Sequence, residues 1–254
     1  MVDIHSHILP GLDDGSPDLE TSLGMVQLAA EHGTTDIVAS PHCDFHHSFD
    51  PAVVEAGIEE LNQACAGAVR IHYGCDFHLH YENVQDAIAH PAKYAVNHKR
   101  YLLVELSDLL AIRSTEEALR KLVAARLFVI ITHPERNGIL RRQLGVLTSW
   151  VQEGIFLQVT AQSLFGIFGR NAKGCAIELL RRGLVHFVAS DGHDLRRRPP
   201  RLDQAFEWVS KELGQATATR LFVEHPAAVL SGEPISAGRL PVSPVRRRWW
   251  AFWR

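Results

Sequence analysis

Seven short apolar runs punctuate this chain, near Val2 to His5, Asp36 to Ala39, Val69 to Tyr73, Tyr101 to Leu106, Leu127 to Thr132, Ile155 to Val159 and His186 to Ala189. Each has the length of a strand, and stretches of helical period separate them, which is the pattern of repeated βα units around a mostly parallel sheet. Six of the seven runs end in, or lead straight into, a histidine or a carboxylate: His5 and His7, His42, Asp76, Glu105, His133, then Asp191 with His193. Asp14 follows on the first loop. Loops after parallel strands gather at one face of a closed barrel. These nine side chains are therefore expected to converge at a single mouth and to close around metal ions.

The helical stretches carry their own punctuation. Ser16 is expected to cap the first helix, Pro17 to take its first turn with Asp18 and Glu20 nearby, and Gly33 to end it. Leu19, Leu23, Val26 and Ala30 would form its buried stripe, with Ala118, Leu122 and Ala125 doing the same before the fifth strand. Ile177 and Leu180 would do so before the seventh, with a stop at Gly183. No internal repeat is visible, and no linker interrupts the chain before about residue 232, after which Gly232 to Pro244 holds three Pro and two Gly. The expected organisation is one barrel over residues 1–232 and a tail over 233–254.

A chain of 254 residues can bury a sizeable core. Its net charge of −3 argues against general nucleic-acid binding, which needs a basic footprint. The four cysteines are scattered without a CxxC pair, so neither a disulfide framework nor a thiolate zinc site is indicated, whereas 15 histidines are unusual. The chain opens on the strand-like Val2-Asp3-Ile4 without a secretory signal pattern, and no segment approaches the roughly 20 apolar residues of a membrane span. A cytoplasmic protein is expected. Residues 246–254 stand apart, with four Arg, no acid and three of the five Trp. Such a segment suits peripheral attachment to an anionic membrane surface at the inner face of the membrane, and equally docking on the barrel or on a second subunit of an oligomer.

The individual motifs explain why these residue types suit metal chemistry. In His5-Ser6-His7, alternate residues of an extended segment point to the same side, so both imidazoles can grip one ion. In Asp13-Asp14-Gly15 a carboxylate on a glycine-permitted turn can reach back over the mouth, although an aspartate pair also suits a turn that precedes a helix. Ser40-Pro41-His42 and Thr132-His133-Pro134-Glu135-Arg136 place Pro beside a histidine at a strand end, and Ser190-Asp191-Gly192-His193 alternates as the opening pair does. Asp76 and Glu105 follow or end apolar strands, where a carboxylate is either a paired core acid or one compensated by a bound cation. His46, His47, His78 and His80 could line the pocket but read first as solvated loop histidines, and His32, His72, His90, His98, His186 and His225 read as structural or exposed.

The order HxH, Asp-Asp-Gly, Pro-His, Gly-x-Asp, Glu, His-Pro-Glu-Arg, Ser-Asp-x-His resembles the PHP (polymerase and histidinol phosphatase) superfamily of metallo-phosphoesterases. Within it, the chain is most similar to the bacterial CpsB/YwqE-type protein-tyrosine phosphatases associated with capsular and exopolysaccharide synthesis. The run from Asp3 to Gly15 carries most of that specificity, and the similarity extends from residue 1 to about 230. The resemblance implies an α/β fold, a distorted (β/α)7 TIM-like barrel of PHP type, holding up to three divalent ions. Mn2+ is the ion implied, with Fe and Zn2+ as alternatives. By the same resemblance His5, His7, Asp76 and Asp191 would bind one ion, Asp76, Glu105 and His133 a second, and Asp14, His42 and His193 a third. Asp76 would bridge, where many relatives carry Glu. Arg136 and Arg198 match the family's phosphate-binding positions, with Arg196 and Arg197 as substitutes; a guanidinium fork pairs two phosphoryl oxygens at once.

Clustered hard cations polarise a phosphate and lower the pKa of a bound water toward about 7, which suits hydrolysis of a phosphomonoester. Cys43 lacks the Cys-x5-Arg loop of cysteine phosphatases because position 49 is Phe, so no thiol nucleophile is expected. The substrate implied by resemblance is phosphotyrosine on the tail of a bacterial tyrosine autokinase. Two other readings remain: a small-molecule phosphatase of the histidinol-phosphate kind, and a non-catalytic metal-binding regulatory barrel.

Overall fold

The computed structural model of the chain describes residues 1–242 except 108 and 110, so the Arg/Trp-rich segment 246–254 lies outside the described residues. Among them run nine parallel strands: β1 (Val2–Ser6), β2 (Asp36–Ala39), β3 (His42–Cys43), β4 (Arg70–Tyr73), β5 (Asp76–His78), β6 (Tyr101–Glu105), β7 (Phe128–Ile131), β8 (Phe156–Thr160) and β9 (Phe187–Ala189). They form two sheets, β1-β2-β4 and β3-β5-β6-β7-β8-β9. The two strands beyond the expected seven arise because the second and third staves each break and restart. Pro41 offers no N–H to continue a ladder, so β2 stops before it and resumes as β3, while β4 stops at Gly74-Cys75 and resumes as β5. Pairing follows the chain across the break, with Ala39 beside Tyr73 below it and His42 beside Asp76 above. Counted as staves, the barrel has seven.

Closure comes from the chain segments just past β1 and β9. Ser6 bridges Gly192, His7 N–H donates to Gly192 O at 2.8 Å, and Asp191 N–H donates to His5 O at 2.8 Å. Below this seam one parity of residues fills the interior: Tyr101, Leu103, Ile130, Phe156, Phe187 and Ala189. The opposite parity, including Leu102, Val104, Val129, Ile131, Leu157 and Val188, packs with buried helix residues such as Leu119, Leu122 and Ala176. Burying a side chain of this size contributes about 1.5–3 kcal/mol. The inward parity continues upward into Glu105, Gln158 and Asp191, so the alternation that builds the core also aims polar groups into the mouth.

The first helix spans Leu19–Glu31 and is capped by Asp18, whose carboxylate accepts from Thr21 N–H at 2.8 Å, rather than by Ser16. Ser16 is buried instead, accepting from Ser22 Oγ at 2.8 Å. Asp18 is still extended, so the helix starts later than expected and its buried face falls on Ser22, Met25, Val26 and Ala29. Leu19, Leu23 and Ala30 flank it. Likewise Ile112–Ala124 buries Thr115, Leu119 and Leu122, leaving Ala118 at the edge. Small residues tolerate either position, so the periodicity alone does not fix the phase of such helices.

The floor of the barrel is sealed by the end of the described chain. Tyr101 Oη donates to Glu233 O at 2.8 Å, His186 Nε2 lies 3.0 Å from Gly238 O, and Leu240 N–H donates to Gly183 O at 2.7 Å. Gly183, at φ +68, has Leu240 O where a Cβ would sit, 2.1 Å away, so a side chain there would displace this segment.

Candidate metal centre

Every stave but the one formed by β8 brings a ligand-type side chain to the mouth. His5 lies in β1, His42 and Asp76 begin β3 and β5, and Glu105 ends β6, while His7, His133, Asp191 and His193 follow β1, β7 and β9. Asp14 reaches in from the exposed first loop. These nine side chains make up four overlapping groups whose donor atoms lie within 4.8 Å of one another: His5, His7 and Asp76; His5, His133 and Asp191; His42, Asp76 and Glu105; and His7, Asp14, His42 and His193. Such groups can hold metal ions. The partition differs from the one implied by resemblance. His42 stands between two carboxylates, Nε2 at 3.4 Å from Asp14 Oδ1 and Nδ1 at 3.1 Å from Asp76 Oδ2, and so belongs to two groups. His133 sits with His5 and Asp191, although its Nε2 also stands 3.7 Å from Glu105 Oε1. An imidazole offers a nitrogen at each of two edges, and spacing along a chain does not reveal what each edge meets.

Two of these positions are held in unusual backbone. Asp191 has φ +51 and His133 φ +33, left-handed conformations that cost a non-glycine residue roughly 1–3 kcal/mol and persist where the surroundings over-determine them. Both fall where a strand ends and the side chain must turn into the mouth.

Burial and the mutual charges of carboxylates and imidazoles pull the groups of the cluster in opposite directions. Burial opposes ionisation of Asp76 and Asp191, yet His5 and its neighbours hold both carboxyls well below the usual range. Glu105 goes the other way, lifted by burial and then by Asp76 to about 9. Burial pulls the histidines down, but Asp13 raises His7 to about 9, and Asp14 with Asp76 raises His42 to about 11. Burial and then the Arg136 charge hold His133 well below its usual value.

The donor atoms fit a bound cation. Asp76 is fully buried, and neither carboxylate oxygen meets a donor in hydrogen-bonding geometry, even though His42 Nδ1 is 3.1 Å away. His42 Nδ1 and His193 Nε2 are likewise buried with a carboxylate nearby but no hydrogen bond, and the Nε2 atoms of His5 and His7 face each other at 3.2 Å. Each unsatisfied buried group costs about 1–3 kcal/mol. A divalent ion satisfies several at once, and carboxylate plus imidazole without thiolate is a donor set for Mn, Fe or Zn.

Arg136 and Arg198 converge on Asp191 from the other side. Both guanidinium groups pair with its Oδ2, Arg198 Nη2 at 2.6 Å, and both lie over the Phe168 ring at 4.4 and 5.8 Å. Arg196 and Arg197 are exposed and contribute backbone N–H groups to Asp194. A cavity of about 290 Å³ opens beside the cluster, lined by His78, Glu105, Leu106, Ser107, His133, Arg136 and Asn137. His78, for which the sequence left a solvated loop and the pocket wall as readings, is part of that wall. It ends β5, which places it beside Glu105 in the ladder.

Sequence reasoning missed the residues that brace the site. Gln158, from the stave that supplies no ligand, has Oε1 3.0 Å from His5 Nδ1. Glu135 is fully buried and accepts from Thr160 N–H at 3.0 Å and Ser163 Oγ at 2.7 Å, pinning the turn after β8; burial pushes its carboxyl up to about 7. The only available signal for Gln158 was its place in an otherwise apolar strand, and Phe168 had none.

The family described as "Capsular polysaccharide synthesis, CpsB/CapC" matches residues 1–231. The chain is 32% identical over 252 residues to the tyrosine-protein phosphatase YwqE of Bacillus subtilis (strain 168), covering 98% of both chains. It is 28% identical over 247 residues to the tyrosine-protein phosphatase CpsB of Streptococcus pneumoniae, covering 92% of this chain and all of that one. A crystal structure from the study of YwqE and CpsB as "unique metal-dependent tyrosine phosphatases" superposes with a TM-score of 0.87 at 31% identity over 97% of this chain and 100% of that one. A zinc-containing histidinol phosphate phosphatase from Lactococcus lactis shares the fold alone, at a TM-score of 0.54 and 13% identity, over 87% of this chain and 94% of that one. With its profile matched over nearly its whole length, the chain belongs to the CpsB/CapC family of capsular polysaccharide synthesis proteins.

Proposed function

We propose that this protein is a metal-dependent protein-tyrosine phosphatase acting on a bacterial tyrosine autokinase that controls capsule or exopolysaccharide synthesis. Its metal ligands are His5, His7, Asp14, His42, Asp76, Glu105, His133, Asp191 and His193, holding up to three divalent ions, Mn2+ foremost with Fe and Zn2+ as alternatives. The observation that carries this reading is the convergence of nine donors and two arginines at one mouth of the barrel, beside a cavity that Glu105, His133 and Arg136 help to line. Similarity to tyrosine phosphatases over nearly the full length supports it.

Divalent ions bound there supply Lewis acidity toward the phosphoryl group and a more acidic water. The chain does the rest. Arg136 and Arg198 clamp the equatorial phosphoryl oxygens and neutralise charge as it grows. Asp191 Oδ2 and the Phe168 face hold both forks side by side, so little side-chain freedom is lost when phosphate arrives. Beyond Leu106 and Ser107 a second cavity, about 410 Å³ and largely apolar, continues outward past Leu79, Val84 and Ala118. It leaves room for an aromatic ester carried on a polypeptide.

The test is to strip the protein of metal, reload it with Mn2+, Fe2+ or Zn2+, and compare a phosphotyrosyl peptide with histidinol phosphate. Metal-restored turnover that favours the peptide supports the proposal. A higher kcat/KM for histidinol phosphate would move the protein to the small-molecule class, and a fully loaded but inactive protein would leave a regulatory barrel. Cys43→Ser should retain turnover. No helix among the described residues is long and apolar enough to cross a membrane, and we place the protein in the cytoplasm with weak attachment to anionic membrane through residues 246–254. Liposome flotation with and without that segment checks this, equal recovery counting against attachment.

A further inference from the structure

We propose that Asp13 is the positioning residue of the metal centre: it holds the His7 ring with Nε2 turned inward and ties that ring to the strand restart carrying His42. Asp13 is not among the grouped donors, and its side chain is only 1% exposed. Its Oδ2 lies 2.6 Å from His7 Nδ1 and accepts from the His42 backbone N–H at 3.0 Å, while Oδ1 accepts from Gly15 N–H at 2.9 Å. A carboxylate at that distance keeps the proton of a neutral imidazole on Nδ1 and leaves the lone pair on Nε2. That atom faces His5 Nε2 at 3.2 Å and Asp191 Oδ1 at 3.4 Å.

His7 and His42 share one group with Asp14 and His193, so a single carboxylate sets two of its four donors from behind. Gly15 makes this possible. A Cβ there would stand 2.3 Å from His7 O, so only glycine lets the turn close onto His7 and seat Asp13 beneath it. His5 supplies an internal contrast, since its Nδ1 meets only the neutral amide oxygen of Gln158 at 3.0 Å. The charged acceptor makes the opposite nitrogen the better donor, so His7 is the stronger imidazole ligand of the pair.

This inference rests on the cluster being a metal centre and is independent of the substrate. Metal-free wild type and Asp13→Asn are titrated with Mn2+ by calorimetry, and histidine ring 15N shifts are recorded on the Zn2+-loaded proteins. Asparagine keeps the volume and one acceptor oxygen, for either the His42 or the Gly15 N–H group, but loses the charge and the second acceptor, so a merely structural Asp13 predicts a lowered Tm with unchanged metal affinity and ring shifts in the folded protein. The expected result is one ion bound about 10- to 100-fold more weakly, with the remaining sites unaffected. A folded Asp13→Asn with wild-type affinity and ring shifts would overturn the proposal. Should that variant fail to fold, the wild-type ring shifts decide: His7 protonated at Nδ1 supports the proposal, and His7 bound through Nδ1 refutes it. Wild type that takes up no metal at all would instead remove the metal-centre reading itself.

Discussion

Single side chains in this site divide into those shared between donor groups and those that are not. Asp76 belongs to two groups and His133 to one. Asp76→Ala should therefore lower the metal content of purified protein more than His133→Ala does, and equal losses in elemental analysis would contradict the overlap. The side chains of Arg136 and Arg198 meet the donor groups at Asp191 Oδ2. Replacing either by Ala should cut kcat/KM for a phosphotyrosyl peptide by about 10²–10³-fold while metal content stays near wild type. Because the two forks meet on one oxygen, the double variant should lose less than the product of the single losses. At this scale much was legible from sequence, since histidine and carboxylate at a strand end have few other uses. In Asp13-Asp14 the sequence offers two identical side chains, and only the turn closed by Gly15 sends one behind His7 and the other to the mouth.

Among the elements, the broken staves and the sealed floor were the parts that local patterning did not reveal. Pro41 signals that a strand stops, but not that it resumes at once in register with the neighbouring stave, because that depends on β4 breaking at the same height. The floor depends on His186, fully buried, with Nδ1 accepting from Leu157 N–H at 3.2 Å and Nε2 toward Gly238 O. Burial depresses it from 6.5 to about 4. The unfolded chain takes up this proton near 6.5 and the folded chain only near 4, so stability is full above about pH 6.5 and falls as the pH drops toward 4, by on the order of 3 kcal/mol. Urea unfolding of metal-free wild type and His186→Gln at about pH 7.5 and about pH 4.5 should show a smaller acid loss in the variant. Identical losses would remove His186 as the source.

For the whole molecule, metal uptake and barrel closure are one problem. The donors come from β1, β3, β5 and β6 and from the loops after β1, β7 and β9, so an ion that binds them joins distant parts of the chain only in the folded state. Binding to the folded state alone stabilises it by about 2.7 kcal/mol at a free concentration a hundredfold above Kd. Chelation should lower Tm by roughly 5–10 °C, with recovery on adding Mn2+ back. A melting curve indifferent to chelator would mean that the cluster is not loaded in solution.

Seven staves, one mouth and the kinds of side chain delivered to it were readable along the linear chain, because strand periodicity and strand-end chemistry are local properties. Tertiary structure alone decided which edge of each imidazole meets which carboxylate, which aspartate braces and which one reaches the mouth, that Gln158 and Phe168 support the site, and that 233–242 seals the floor. Those outcomes follow from contacts between residues far apart in the chain, whose distances are set only when the barrel closes at Ser6 and Gly192.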